Sequence, residues 1–284
     1  MNIKDMTFSS LEIPFRVEFK HASASRNVTS TAWVVARSEH QTGYGESCPR
    51  EYVTCETMGL VKLFFEAHKD SLQEKIDSLA SLQAWTLDHR SEIDQNPAAW
   101  CAIELALLDL LAQEEEQSIE QLLDLPELSG VFQYTAVLGD NKIEQFAQQV
   151  DQYAAMAFGD YKIKLSGDLE KDKEKLRYLV GAKADARIRL DANNLWKQAA
   201  EASDYLNSLE TELFAIEEPL SANDYDGLRE VANAVNTKII LDESFLREEQ
   251  FSIIKDEPLN WIINLRVSKM GGLLRSIKIA SLSE

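Results

Sequence analysis

Three carboxylates follow short hydrophobic runs at nearly even intervals. They are Asp191 in Arg187-Ile188-Arg189-Leu190-Asp191, Glu217 in Leu213-Phe214-Ala215-Ile216-Glu217, and Asp242 in Lys238-Ile239-Ile240-Leu241-Asp242. An interval of about 25 residues is the length of one strand, one helix and two loops, so the three would end successive parallel strands, where neighbouring strand ends converge. Oxygen-only ligands that leave coordination positions open suit a hard cation such as Mg²⁺, with Mn²⁺ as a substitute, better than Zn²⁺, which prefers His and Cys. A metal held this way can bind a substrate carboxylate. Each acid taken alone reads equally well as a helix cap or a loop residue.

One repeat upstream, Tyr161-Lys162-Ile163-Lys164-Leu165 places two lysines on one strand face, opposite Tyr161, Ile163 and Leu165. With the apolar set packed under helices, both ammonium groups point inward. Crowding of two buried ammoniums lowers their pKa values, which turns a lysine into a base near neutral pH. An edge strand with a solvated polar face is the alternative.

The elements that must position these groups follow from composition and periodicity. The chain has 284 residues, 45% of them hydrophobic, enough for a sizeable core and two domains. A net charge of −19 argues against nucleic acid and against an anionic membrane, because both select Lys and Arg stripes. Three cysteines, Cys48, Cys55 and Cys101, have no metal-like spacing and read as free thiols in a reducing cytoplasm. The amino terminus carries no secretory apolar segment, and the run 102–112 is too short and too charged to span a bilayer. The expected location is cytoplasmic.

Residues 7–47 read as antiparallel strands, clearest in Thr31 to Arg37, with a turn near Gly43-Tyr44-Gly45. Residues 56–125 read as helices, with Ala98, Ile103, Leu107 and Leu111 at helical spacing. Beyond Phe132 the pattern predicts strands at 133–137, 161–165, 186–191, 213–217, 238–242 and 261–266. Helices are predicted at 142–157, 168–182, 197–208, 222–235, 246–255 and 272–283. These are six βα units of a parallel sheet. A closed barrel of this kind needs eight. The expected fold is therefore α/β: an α+β domain over residues 1–128, and a (β/α)8-type barrel over 129–284 with six units visible and its C-terminal units missing.

Taken together, Lys162-Ile163-Lys164, Asp191-Ala192-Asn193, Glu217-Glu218-Pro219, Asp242-Glu243-Ser244 and Gly271-Gly272 resemble the muconate-lactonizing branch of the enolase superfamily. That branch includes dipeptide epimerases, o-succinylbenzoate synthases and N-succinylamino acid racemases. Gly43-Tyr44-Gly45-Glu46 and Pro49-Arg50-Glu51-Tyr52-Val53-Thr54 are similar to its capping domain and substrate-covering loop. The resemblance implies Mg²⁺ on Asp191, Glu217 and Asp242, and abstraction of a proton next to a carboxylate, with the metal stabilising the enediolate. It makes Lys164 the acid/base and Lys162 its neighbour. It places Asn193, Glu243 and Lys269 around the metal site, and sets His21, Arg26 and Tyr52 against the distal end of a small-molecule carboxylate substrate. His21 and Arg26 read equally as solvated loop residues, and Tyr52 as packing. No protein partner beyond further copies of the chain is expected.

The chain departs from the branch at the end of the sixth predicted strand. In Ile263-Asn264-Leu265-Arg266-Val267-Ser268-Lys269, Arg266 stands where the branch has a lysine. A guanidinium stays protonated and is a poor base, so racemisation by two opposed lysines gives way to chemistry on one face, as in cycloisomerisation or syn elimination. Two other classes stand beside this isomerase or lyase: a descendant that keeps fold and metal without turnover, and an acidic scaffold.

Overall fold

The computed structural model describes residues 1–21, 24–257 and 260–283, with the side chains of 16–26 outside that description. His21 and Arg26 are among those excluded. By contacts the chain divides into two units. The first comprises Met1–Phe15, Val28–Gly130 and Leu265–Glu284, and the second Arg16–Asn27 and Val131–Asn264.

Strands β1 (Asp5–His21), β2 (Ala24–Arg37) and β3 (Thr42–Ser47) form one sheet in that order, with β2 antiparallel to β3. Tyr44 and Glu46 alternate with the buried Gly43, Gly45 and Ser47, so β3 has one face against the core. The turn lies at 38–41, closed by Ser38 N donating to Gln41 O at 3.0 Å, and not at Gly43-Tyr44-Gly45, which sit inside β3. Those glycines serve close approach to the Pro97–Glu114 helix. A Cβ on Gly45 would stand 2.0 Å from the Ala102 carbonyl oxygen and 2.5 Å from the Ala106 nitrogen. Both are backbone atoms that cannot rotate away. Gly45→Ala should therefore destabilise the chain by about 3 kcal/mol in urea unfolding, and a loss under about 0.5 kcal/mol would show that the strand can lift without cost.

The Pro97–Glu114 helix is the axis of this unit, with Trp100, Ile103, Leu107 and Leu111 all buried. Its N-cap, Asn96, makes no side-chain cap hydrogen bond. The buried carboxylate of Glu56 does so instead, accepting from Ala98 N at 2.8 Å and Ala99 N at 2.9 Å. The Met58–Lys75 and Leu79–Asp88 helices pack on the same core.

In the second unit β4 (Thr135–Leu138), β5 (Asp160–Lys164), β6 (Arg187–Asp191), β7 (Ala215–Glu217), β8 (Lys238–Leu241) and β9 (Trp261–Ile263) lie in sequence order. Every neighbouring pair is parallel. Helices Ile143–Ala155, Leu169–Ala182, Ala199–Ser208 and Tyr225–Val235 alternate with the first five strands, as the periodicity predicts. Tyr161, Ile163, Ile188, Leu190, Ile216 and Ile239 are buried, and their burial is what fixes this register.

Two predicted elements come out differently. The helix predicted at 246–255 is a 3-10 turn, Glu248–Gln250, followed by one helical turn, Phe251–Ile254. The strand predicted to reach 266 stops at Ile263. Only Asn264 N, donating to Leu241 O at 3.0 Å, continues the ladder. Arg266 is instead the N-cap residue of a short helix, Val267–Met270. Parity from a strand does not extend to it, because a helix start has its own side-chain directions. This helix and the one that follows, Leu273–Leu282, make their contacts with the Pro97–Glu114 helix. Cys48, Cys55 and Cys101 are free thiols, and no helix among the described residues is long and apolar enough to cross a membrane.

Candidate active site

The parallel ladder brings the predicted residues of β5 to β8 to one end of the sheet. Lys164 is in register with Asp191, and Asp191 with Glu217. Asp242 is the first residue past β8, two beyond Ile240, the partner of Glu217. Asp191, Glu217 and Asp242 are all buried. None caps a helix: the following helices have Gln198, Asp224 and Arg247 as N-caps. The helix-cap alternative for the three acids therefore falls away, and Asp242 is a loop residue.

The two lysines and two of the acids form one network. Lys162 Nζ donates to Glu217 Oε1 at 2.7 Å and lies 2.9 Å from Asp191 Oδ2. Lys164 Nζ donates to the same Asp191 oxygen at 2.9 Å and to Asn193 Oδ1 at 2.8 Å. Burial lifts the Asp191 carboxyl, but the two ammoniums outweigh it and hold the group below the ordinary aspartate range. Glu217 goes the other way. Burial raises it, Lys162 pulls it down, and the charges of Asp191 and Asp242 help keep it high.

The expectation that crowding lowers the lysine pKa values is overturned for Lys162. Burial does push it down, but Glu217 and then Asp191 push it up by more, and it lies above the ordinary lysine value. For Lys162, the neighbouring ammonium matters less than the two carboxylates in hydrogen-bond range.

The loop after β6 has an unusual backbone. Asn193 and Asn194 have φ of 47° and 59°, left-handed conformations that asparagine tolerates, and Asn193 N donates to Asp191 Oδ1 at 3.1 Å. Glu218, at φ 39°, is a strained non-glycine residue. Its carboxylate was given no role by the sequence reading. It is fully buried and accepts from Asp242 N at 2.7 Å, Ser244 N at 2.7 Å and Ser244 Oγ at 2.8 Å, so it holds the chain where Asp242 leaves β8. Burial lifts it to about 7, against those hydrogen bonds. The signal for it is the doubled acid in Glu217-Glu218-Pro219, since alternation turns the second away from the first. Glu243 lies near Glu218 and adds to its upward shift.

Of the remaining predicted residues, Lys269, Arg266 and Tyr52 lie in the first unit, and His21 and Arg26 lie outside the described side chains. Lys269 is buried, Arg266 half-buried, and Tyr52 is exposed in the short helix Glu51–Thr54. In the second unit a cavity of about 1270 Å³ opens at the opposite ends of β6 to β8, lined by Arg187, Leu213 and Lys238 among others. Its mixed charges do not converge, and it is separate from the carboxylates.

A cluster of carboxylates in which the charges of Asp191 and Asp242 make ionisation of Glu217 costlier, facing two ammoniums, is the donor chemistry that a hard divalent cation stabilises. As the side chains stand, Lys162 is bonded to two of the acids. Among the described residues no group of three His, Cys, Asp or Glu side chains is arranged to hold an ion. The donor types fit Mg²⁺, and the ammonium of Lys162 has to move to admit it.

Residues 145–284 match the family model described as enolase C-terminal domain-like. The chain is 27% identical over 300 residues to a hydrophobic dipeptide epimerase of Enterococcus faecalis, spanning all of this chain and 80% of that protein. It is 28% identical over 296 residues to the L-Ala-D/L-Glu epimerase of Bacillus subtilis, spanning 78% of the latter. An N-succinyl-L-Arg/Lys racemase of Bacillus cereus is 24% identical over 295 residues, with 77% of it covered. Among solved structures, the substrate-liganded complex of the Bacillus subtilis epimerase superposes with a TM-score of 0.87 at 25% identity, covering all of this chain and 79% of that one. The Enterococcus faecalis dipeptide epimerase complexed with Mg and L-Leu-L-Tyr gives 0.82 at 25% identity, covering all of this chain and 80% of that one. With their strand-end acids and lysine pair, residues 145–284 form an enolase-superfamily C-terminal domain, and the chain's homologues are dipeptide epimerases and N-succinylamino acid racemases of the muconate-lactonizing branch.

Proposed function

We propose that this chain abstracts a proton alpha to the carboxylate of a small molecule, with Mg²⁺ on Asp191, Glu217 and Asp242 and with Lys164 as the acid/base. The observation that carries this reading is the position of Lys164 Nζ, 2.9 Å from Asp191 and 2.8 Å from Asn193, at the end of β5 in register with Asp191, which is itself in register with Glu217. The fold to which these positions belong is the (β/α)8-type barrel with an α+β capping domain. Bound at the acids, Mg²⁺ supplies the positive charge that stabilises an enediolate. With a cation held by the acids, Lys162 would be freed from Glu217 and Asp191 and could neutralise negative charge developing on the substrate. Lys164, released from its share of Asp191 and as the neutral amine after losing a proton to solvent, takes the α-proton and becomes an ammonium. Asn193 Oδ1, which accepts from Lys164 Nζ, holds it in line.

The relatives' names point to dipeptides and N-acylamino acids as the substrate class. By the resemblance, Arg266 stands where the branch has a second lysine. A permanently protonated guanidinium in place of a second lysine leaves one base, so exchange with retention, cycloisomerisation or syn elimination is favoured over inversion. In D₂O, α-proton exchange followed by NMR should outrun inversion followed by polarimetry. Equal rates would sink the one-base course. Arg266 also favours a second reading, a descendant that binds metal without turnover, which would show metal binding and no exchange.

The metal reading is tested by titration with Mg²⁺ or Mn²⁺. One site is expected, weakened about 100-fold or more by Asp242→Asn, since even partners of metal ligands are worth 10- to 100-fold. Parent and variant binding alike would remove the metal from these acids.

A further inference from the structure

A second polar network in the second unit takes no part in the proposed chemistry. Its centre is Asp172 on the Leu169–Ala182 helix, 1% exposed. Ser166 N donates to Asp172 Oδ1 at 3.2 Å and to Oδ2 at 2.9 Å, and Ser166 Oγ donates to Oδ1 at 2.8 Å. Tyr205 Oη donates to Oδ2 at 2.7 Å. Burial, then the hydrogen bond to Asp172, pushes the Tyr205 phenol up, which keeps it a donor. Three residues along the helix, Lys175 is fully buried, with its ammonium 3.9 Å from Asp172 Oδ1 and donating to Asp140 Oδ1 at 2.5 Å. A buried ionic cluster is weak evidence for stability, since apolar side chains of the same volume often pack as well or better. What such a cluster can specify is position.

The donors to Asp172 lie in segments that follow β5 and β6. Past Lys164 the ladder continues for one residue, through Leu165 N donating to Asp191 O at 3.0 Å. The next amide, that of Ser166, turns to Asp172 instead. Gly167 follows at φ 83°, and Asp168 caps the helix that brings Asp172 back. The other donor, Tyr205, belongs to the Ala199–Ser208 helix and packs its ring on Trp196, with centroids 4.9 Å apart. Trp196 ends the loop that holds Asn193: its N donates to Pro219 O at 3.1 Å, and Asn194 N donates to Glu218 O at 2.8 Å. The loops after β5 and β6 are thus joined twice. One contact is Lys164 Nζ on Asn193 Oδ1, and the other runs from Ser166 through Asp172 and Tyr205 to Trp196. All of these residues lie within the second unit.

We propose that Asp172 is a positioning residue, whose carboxylate ties the loop after β5 to the loop after β6 and so holds Lys164 against Asp191 and Asn193. The catalytic half of this rests on the proton-abstraction reading above; the tie itself does not. Lys164 is two residues from Ser166, so slack at Ser166 passes directly into the end of β5. A displacement of about 1 Å at a reacting group can cost on the order of 10²-fold in rate. Asp191 and Glu217 are held by the ladder and the Asp242 backbone by Glu218, so metal affinity should survive loss of the tie.

The test uses the full chain with Asp172→Asn, which places an amide where Ser166 and Tyr205 need an acceptor, and with Tyr205→Phe, which removes one hydrogen bond and keeps the ring. Amide hydrogen exchange across 165–168 should speed up at least about 10-fold in Asp172→Asn and about 3-fold in Tyr205→Phe, with Val231 to Val235 unchanged. With a panel of L,L-dipeptides and N-succinylamino acids in D₂O, kcat for α-proton exchange should fall about 30-fold and about 5-fold respectively, while KM and Mg²⁺ affinity stay within about 3-fold of the parent. Should Asp172→Asn fail to fold, Tyr205→Phe decides both halves by itself. Unchanged protection of 165–168 in the folded variants overturns the tie. A loosened loop with undiminished kcat overturns its role in catalysis, and so does a fall in kcat matched by an equal loss of Mg²⁺ affinity, which would mark a general slackening of the strand ends. A parent without any exchange activity overturns the proton-abstraction reading together with that role, while the amide measurement still decides the tie.

Discussion

Lys164→Ala should lower α-proton exchange about 10³-fold while leaving Mg²⁺ affinity within a few-fold of the parent. A positioned general base contributes 10² to 10⁴ in rate, and no other described side chain shares its two contacts, Asp191 Oδ2 and Asn193 Oδ1. The separation of the two effects is what makes the measurement informative. A variant that loses both has lost the architecture of the strand ends, whereas one that keeps exchanging has its base elsewhere. Lys162 is the control, because it shares the Asp191 oxygen but donates to Glu217 where Lys164 donates to Asn193. Lys162→Ala should relieve the competition for that oxygen, so metal should bind more readily even as turnover falls.

The second large effect is expected from Asp191→Ala. That carboxylate is the one group to which both ammoniums bond, and removing it leaves two half-buried to buried cations with one good partner each. Breaking a buried ion pair by deleting one member costs 3–5 kcal/mol, and here about 3 kcal/mol is expected in denaturant unfolding, along with loss of the metal. A change under about 1 kcal/mol would mean that the lysines re-pair with Glu217 and Asp242, and that the network tolerates rearrangement more freely than its short distances suggest.

What the sequence made legible was whatever periodicity controls. Six runs of apolar residues separated by amphipathic stretches located β4 to β9, and the position of each acid at the end of its run located the candidate site. The lysine face followed from alternation alone. Through-space electrostatics was not legible: the upward shift of Lys162 depends on Glu217 and Asp191 lying within hydrogen-bond range, and no local pattern reports that. Glu218 escaped notice for a related reason, because its partners are backbone N–H groups of a loop 24 to 26 residues later. At Arg266 the hydrophobic run Trp261-Ile262-Ile263 continues into Leu265, so the pattern predicts strand where the chain already turns into a helix. Gly43 and Gly45 look like a turn because glycine usually marks one, whereas here the Pro97–Glu114 backbone comes too close for any side chain.

The first unit is discontinuous, and that bears on how the chain acquires its structure during synthesis. Its long helix takes the cap for its first turn from Glu56, 42 residues upstream, so that turn can form as soon as residue 99 has emerged. Glu104, a fully buried carboxylate on the same helix, waits much longer. It accepts from Leu274 N in the Leu273–Leu282 helix, 170 residues downstream, and the whole six-stranded sheet is translated in between. Until then a carboxylate destined for the interior has no backbone donor from that helix, and the apolar flank on which Val267–Met270 will dock is open. At 5–20 residues per second the interval is on the order of 10 to 30 s. A nascent chain arrested near residue 200 should therefore hold a partly assembled amino-terminal region with a sticky helix flank, a natural point for chaperone engagement, and the sheet should become protease-resistant before the region that precedes it.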